Sequence, residues 1–374
     1  MRSRLAHWAL SLLLPAIYAA DASAEYGLNM PRGVTDVSHS VYDLHMQIFW
    51  VCVAIAVVVF GVMFYSIIMH RKSKGAVASQ FHESTTVEVL WTIVPVIILV
   101  AMAWPATKTL IEMYDTSDSD VDIKVTGYQW KWRYEYIGQG VDFFSNMSTP
   151  KEEIYNTAPK NENYLLEVDN ELVVPINKKI RFLITANDVI HSWWVPDFAV
   201  KKDAIPGFIN ESWTRINEPG IYRGQCTELC GKDHGFMPVV VRAVEQDEYE
   251  AWLLAKQEEA KATAELAKLT FTLEEQMKRG EAVYTTNCAA CHQANGVGIP
   301  PSFPALKGSS IALGPVEKHI ELVVKGVSGS AMQAYGGQLS DVDMAAVVTY
   351  ERNAWGNETG DNVSAKDIVE FKNK

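Results

Sequence analysis

Cys226-Thr227-Glu228-Leu229-Cys230-Gly231-Lys232-Asp233-His234-Gly235-Phe236-Met237 sets two thiols four residues apart, an imidazole four residues further on and a thioether three beyond that. Thiolate, imidazole and thioether are soft ligands, and a His/Cys/Met set is that of a copper electron-transfer site. One cysteine suffices for a mononuclear blue-copper centre. Two cysteines on one loop can bridge two copper ions, each ion also taking a histidine. The histidines after the second long apolar stretch are His191, His234, His292 and His319. His292 belongs to a separate motif, and His319, on a predicted helix of another domain, is expected at the surface, so His191 is the second imidazole. A disulfide, or a zinc site built from Cys226, Cys230, His234 and His191 with no use for Met237, stays open on these residues alone.

Short β-rich runs surround this loop, at 121–126, 128–136, 179–185, 221–224 and 238–244, separated by turn residues. They predict a small all-β sandwich or barrel over 121–244, with the polar insert 138–163 as a long surface loop. The alternation stops at Glu245. Residues 246–268 are rich in Ala, Glu and Lys and lack Gly and Pro, which predicts a helical connector within 245–271. Beyond it, helices are expected at 273–286, 315–326 and 340–354, forming a small all-α domain over 272–374.

That last domain holds Cys288-Ala289-Ala290-Cys291-His292, the C-x-x-C-H pattern of c-type haem attachment. The thiols can bond the porphyrin vinyl groups, which holds the adjacent histidine beneath the iron. A redox disulfide is the plainer alternative. A methionine is the expected sixth ligand, since Met/His ligation gives the raised potential of an electron-transfer cytochrome. Met332, in the loop 326–337, is the candidate; Met344 lies in a helical apolar pattern and reads as core. Cys52 reads as a small packing residue.

Upstream, two apolar stretches at about 44–69 and 87–113 are each near the ~20 residues that cross a bilayer, and define a transmembrane hairpin within 25–115. The loop between them carries Arg71, Lys72 and Lys74 against Glu83, which places it in the cytoplasm and the flanking chain outside. Residues 1–24 read as an export signal, with Arg2 and Arg4, an apolar core, and Ala22-Ser23-Ala24 as cleavage site. The formal charge of -12 argues against nucleic acid as a partner and is compatible with an acidic docking surface.

Taken together, these residues resemble cytochrome c oxidase subunit II, in the bacterial variant with a cytochrome c domain fused at its C-terminus. The motifs that carry the resemblance are Gly127-Tyr128-Gln129-Trp130-Lys131-Trp132, His191-Ser192-Trp193, Asp203-Ala204-Ile205-Pro206-Gly207 and the loop from Cys226 to Met237. It implies a multidomain chain: a two-helix transmembrane hairpin, an all-β cupredoxin-like domain and a small all-α cytochrome c domain. It implies a dinuclear copper centre, CuA, held by His191, Cys226, the backbone carbonyl of Glu228, Cys230, His234 and Met237, beside haem c on Cys288, Cys291, His292 and Met332. Trp130 resembles the family's electron-accepting aromatic, with a buried barrel tryptophan as the alternative. The Glu228 carboxylate resembles a group that helps bind magnesium at the junction with subunit I. Glu88 resembles the carboxylate at the mouth of a proton channel, although Thr85-Thr86-Val87-Glu88 also fits a helix capping box.

The implied role is to pass electrons from cytochrome c, through haem c and copper, to subunit I, where dioxygen is reduced and protons are pumped. Subunits I and III and the lipid bilayer are the implied partners. The bacterial inner membrane is the implied site, with both termini and the metal domains on the periplasmic side. A membrane-anchored copper-delivery protein and the electron-transfer subunit of a nitrogen-oxide reductase are the competing readings.

Overall fold

A computed structural model of the chain describes residues 29–78, 80, 82–327 and 330–373; the expected export signal lies outside them. The chain divides into two compact units, residues up to Gly138 with Ser145–Tyr249, and Gln139–Phe144 with Glu250–Lys374.

The first unit begins with α1 (Asp36–Met69) and α2 (Thr85–Tyr114), both long and apolar enough to cross a membrane. Helix α1 starts eight residues before the apolar stretch. Thr35 and Ser38 cap each other's backbone there, and the first two turns carry Asp36, His39, Ser40 and Asp43. Those turns therefore extend the helix by ~12 Å past its apolar part. Helix α2 is capped differently from the expectation. Its N-cap is Ser84, with no side-chain cap bond, and Glu88 N–H closes onto Ser84 O at 3.0 Å. The expected Thr85–Glu88 capping box does not form, because Thr85 is already inside the helix. Cys52 lies on an exposed face of α1, so this chain's own packing does not enclose it.

Both helices are fastened to the β-domain that follows. Thr35 Oγ1 donates to Phe198 O at 3.1 Å, and Asp36 accepts from Arg215 at 3.2 Å. At the end of α2, Trp213 Nε1 donates to Glu112 O at 3.0 Å, which satisfies one of the carbonyls a helix terminus leaves open.

The domain comprises β1 (Val121–Tyr128), β2 (Lys131–Tyr136), a short helix α3 (Lys151–Ile154), β4 (Leu172–Pro175), β5 (Ile180–Ala186), β6 (His191–Val195), β7 (Val200–Ala204), β8 (Asn210–Thr214), β9 (Gly220–Cys226) and β10 (Pro238–Val244); β3 (Val141–Ser145), all but its last residue, falls in the second unit. One sheet runs β2-β1-β5-β8 and the other β4-β10-β9-β6-β7. The pairs β1/β5 and β4/β10 are parallel. This is the cupredoxin-like sandwich.

In β1, Val121, Ile123 and Val125 point into the core and Asp122, Lys124 and Thr126 point out, the period-2 alternation of a half-buried strand. Trp132, Tyr134 and Tyr136 line the inner face of β2. The two sheets meet through them: Trp193 Nε1 of β6 donates to Tyr134 Oη at 3.3 Å, and Tyr136 Oη donates to Val173 O at 2.7 Å. Phe182 and Trp193 pack with ring centroids 4.8 Å apart. Burying aromatic side chains of this size contributes on the order of 1.5–3 kcal/mol each. The insert expected to be loop contains β3, because Val141 is buried.

Helix α4 (Gln246–Leu266) follows the sandwich. The second unit is built from α5 (Leu273–Asn287), α6 (Ala289–His292), α7 (Val316–Lys325), α8 (Asp341–Asn353) and α9 (Ala365–Lys372). Helices α5 and α8 cross at Gly280, where a Cβ would stand 2.1 Å from Ala346 O. Only glycine lets the backbones approach so closely. Tyr284, Ile320, Val323, Met344, Val347, Val348 and Ile368 form the core. His319, expected at the surface, is 1% exposed. It is one turn before Leu322 and Val323, so the helical period carries it onto the inward face of α7.

Candidate metal centres

The loop 227–237 joins the antiparallel neighbours β9 and β10, and β6 runs beside β9 with Trp193 opposite Cys226. One end of three adjacent strands therefore gathers the ligand candidates. Cys226 closes β9, His191 opens β6, and a single 3₁₀ turn, His234–Phe236, leads to Met237. Backbone bonds hold the loop to the sheet: Cys226 N donates to Met237 O at 3.3 Å, and Thr227 N to Ser192 O at 3.1 Å. Trp132 Nε1, from the opposite sheet, donates to Met237 O at 3.3 Å.

The two sulfurs lie 3.9 Å apart, well beyond the ~2.05 Å of a disulfide. On the Cys226 side, His191 Nδ1 is 3.9 Å from the sulfur and the Glu228 carbonyl 3.4 Å. On the Cys230 side, His234 Nδ1 is 3.4 Å from the sulfur and Met237 Sδ 3.5 Å. Each thiol thus has one imidazole and one weaker donor beside it. His191, Cys226 and Cys230 are buried, with ligand atoms within 4.8 Å of one another.

Burial works against the Cys226 thiolate, but the bonds from His191 and from backbone at Ser192 and Glu228 outweigh it and hold the pKa below the ordinary thiol value. Burial, then the charge of Cys226, pushes the Cys230 thiol up. A pocket that favours one thiolate beside a second thiol suits a cation that supplies the missing positive charge.

Asp188 belongs to no motif in the sequence. Its Oδ1 lies 2.8 Å from His191 Nε2, and its Oδ2 accepts Gln129 N–H at 2.8 Å. Burial opposes charge on His191, yet Asp188 and then Cys226 raise its pKa above the ordinary histidine value. The only signal would have been the i, i+3 spacing of an acid before a candidate ligand. Gly127 is the other contributor: a Cβ there would stand 2.8 Å from His191 Cδ2.

Trp130 is not a buried barrel residue; that place belongs to Trp132. Trp130 lies half-exposed in the turn between β1 and β2, and its Nε1 donates to Cys230 O at 3.1 Å. Gln129 Nε2 donates to the same oxygen at 2.8 Å. The Glu228 side chain is exposed, and Glu88 is exposed on the first turn of α2.

In the second unit, Cys288, Cys291, His292 and Met332 all line one cavity of about 420 Å³, whose other walls include Phe303, Leu306, Leu322, Val323, Tyr335 and Val347. The two cysteines are not joined as a disulfide. His292 Nδ1 meets Pro304 O at 2.9 Å, which assigns the proton to Nδ1 and leaves Nε2 as a lone-pair donor. An apolar cavity lined by two thiols, a basic imidazole nitrogen and a thioether has the donor set a haem c requires.

Sequence models of known families match along the chain. The transmembrane domain of cytochrome c oxidase subunit II matches residues 23–109 and its periplasmic domain 121–244. Cytochrome c oxidase, cbb3-type, subunit III matches 275–350. A probable cytochrome c oxidase subunit 2 from Rickettsia felis is 35% identical over 260 residues, covering 68% of this chain and 81% of the relative. A cytochrome c oxidase subunit 2 from Pneumocystis carinii is 37% identical over 239 residues, covering 62% of this chain and 96% of the relative. The crystal structure of the periplasmic domain of cytochrome oxidase subunit II from Bradyrhizobium japonicum is 43% identical, covering 38% of this chain and 98% of that one, with a TM-score of 0.35.

Proposed function

This chain belongs to the cytochrome c oxidase subunit II family, and from that premise we propose that it relays electrons from cytochrome c, by way of its own haem c and a dinuclear copper centre, to subunit I of a haem-copper oxidase. There dioxygen is reduced and protons are translocated, and subunit III is a further partner. The hairpin sits in the bacterial inner membrane, with both metal domains on the periplasmic side.

The observation that supports this most directly is the pairing around two thiols 3.9 Å apart. His191 and the Glu228 carbonyl flank one thiol, and His234 and Met237 the other. A single zinc ion would leave Met237 unused, whereas a pair of copper ions would find a use for every donor: His191, Cys226, the Glu228 carbonyl, Cys230, His234 and Met237. Such a pair, with haem c on Cys288, Cys291, His292 and Met332, supplies one-electron chemistry at small reorganisation. The protein's part is orientation. Asp188 fixes the His191 ring, Pro304 O fixes His292, and the sheet ends fix the loop.

Trp130 bonds the backbone of Cys230 directly and lies half-exposed, which suits an electron-accepting aromatic between a docked donor and the metal loop. The exposed carboxylate of Glu228 suits a magnesium ion shared with subunit I. Glu88, unused as a cap, suits the mouth of a proton channel into that subunit.

Electron paramagnetic resonance of the purified oxidised complex tests the copper assignment. A seven-line hyperfine pattern is expected from one unpaired electron shared over two coppers. A four-line signal, or zinc in place of copper by metal analysis, refutes it.

A further inference from the structure

The haem cavity contains a polar pair that none of these roles uses. His319 and Glu351 both line it, on the facing helices α7 and α8, and are 1% and 4% exposed. Nε2 of the ring lies 2.8 Å from Glu351 Oε2. Such groups are retained inside a domain only where partners compensate their desolvation. Nε2 has its partner. Nδ1 is buried and has none, and an orphaned buried nitrogen calls for an explanation.

The haem supplies one. It brings two carboxylates into this cavity, and the described lining residues include no lysine or arginine. Apart from the iron-ligand candidate His292, His319 is the only histidine among the described lining residues, and an imidazole can present an N–H to a carboxylate. Glu351 alone would crowd a propionate; the His319 ring between the two carboxylates offers each of them one nitrogen.

We propose that His319 Nδ1 donates a hydrogen bond to a haem propionate, with Glu351 holding the ring from Nε2. The proposal rests on the haem c reading above. His319 is then a positioning residue that tunes the iron through the porphyrin edge. Losing the donor leaves the propionate charge less compensated, which favours ferric iron and lowers the midpoint potential.

The test uses the full chain in its membrane complex. Pyridine haemochrome spectra first count thioether-bound haem, and wild-type protein without it overturns the haem c reading and this inference together. With haem present, two variants separate the two nitrogens. His319→Gln puts an amide near the Nε2 position, against Glu351, and nothing at Nδ1. His319→Asn puts an amide near the Nδ1 position and leaves Glu351 without its partner. The expected result is that H319Q shifts the ferrous/ferric ratio about tenfold towards ferric, about 59 mV in midpoint potential. It also moves a propionate band in the reduced-minus-oxidised infrared spectrum, while H319N, which keeps a donor near Nδ1, moves both less. The opposite ranking overturns the proposal, since His319 would then serve only to compensate Glu351. Unchanged potentials and bands in both variants overturn it as well. Should the variants not load haem, a map of the loaded wild-type complex decides. A propionate oxygen within about 3.2 Å of Nδ1 upholds the bond, and one beyond about 4 Å overturns it.

Discussion

Asp188 Oδ1 lies 2.8 Å from His191 Nε2, while Nδ1 of the same ring lies 3.9 Å from Cys226 Sγ. The carboxylate takes one ring nitrogen and so points the other at the sulfur. Its second oxygen accepts from Gln129 N–H, which ties the ring to the turn bearing Trp130. Asp188→Ala is expected to lower copper affinity by about 10–100-fold, measured by chelator competition, with Asp188→Asn less affected because its amide oxygen can still accept.

Gly127 leaves room for that ring. Gly127→Ala places a methyl group 2.8 Å from His191 Cδ2, so the imidazole must turn away from the metal. A stability loss of about 1–3 kcal/mol is expected from the overpacking, together with an altered copper resonance, read by thermal unfolding and by electron paramagnetic resonance.

Trp130→Phe removes the bond from Nε1 to Cys230 O but no proposed metal ligand. Copper content is expected to remain unchanged while reduction by cytochrome c slows about tenfold, equivalent to about 1.4 kcal/mol in the barrier. Stopped-flow spectroscopy of the purified complex measures it.

Met332→Ala removes the thioether from the haem cavity. Haem attachment through Cys288 and Cys291 is expected to persist, and the midpoint potential to fall, because Met/His ligation raises it. Redox titration of the haem band is the measurement.

Asp122 and Arg181 are neighbours across the parallel pair β1/β5, joined by two bonds at 2.9 and 2.8 Å. The Arg181 bond, outweighing desolvation, holds the Asp122 pKa below the usual carboxylate value. A depressed folded pKa gives stability that is present above the unfolded value near 3.9 and is lost as pH falls through the folded one. The pair is about 30% exposed, so screening limits it. Asp122→Asn is expected to cost about 1 kcal/mol at pH 7 and progressively less in acid below pH 4. Denaturant unfolding at pH 7 and in acid gives the difference.

Legibility followed how local each signal is. The loop from Cys226 to Met237 and the Cys288–His292 motif announce themselves because their ligands lie a few residues apart. The strands β1 and β10 are visible through β-rich runs. Strand β6 is not, since His191, Ser192, Trp193 and Val195 are all buried and no alternation marks it. β7 and β8 read Val-Lys-Lys-Asp-Ala and Asn-Glu-Ser-Trp-Thr, too polar to separate from loop. The partners Asp188 and Pro304 act on residues already found, through contacts only the folded chain supplies. His319, expected at the surface of its helix, lies inside because its period along α7 turns it inward.

The latches at Thr35–Phe198 and Trp213–Glu112 tie the β-sandwich to the outer ends of both membrane helices. Any lean of the hairpin therefore turns the metal loop with it, like a mast carried by its deck. The height of Cys226 and Cys230 over the helix ends is thereby fixed from within this chain. Because tunnelling weakens steeply with distance, cutting either latch would, in the proposed relay, detune the jump into the membrane without touching a single proposed ligand.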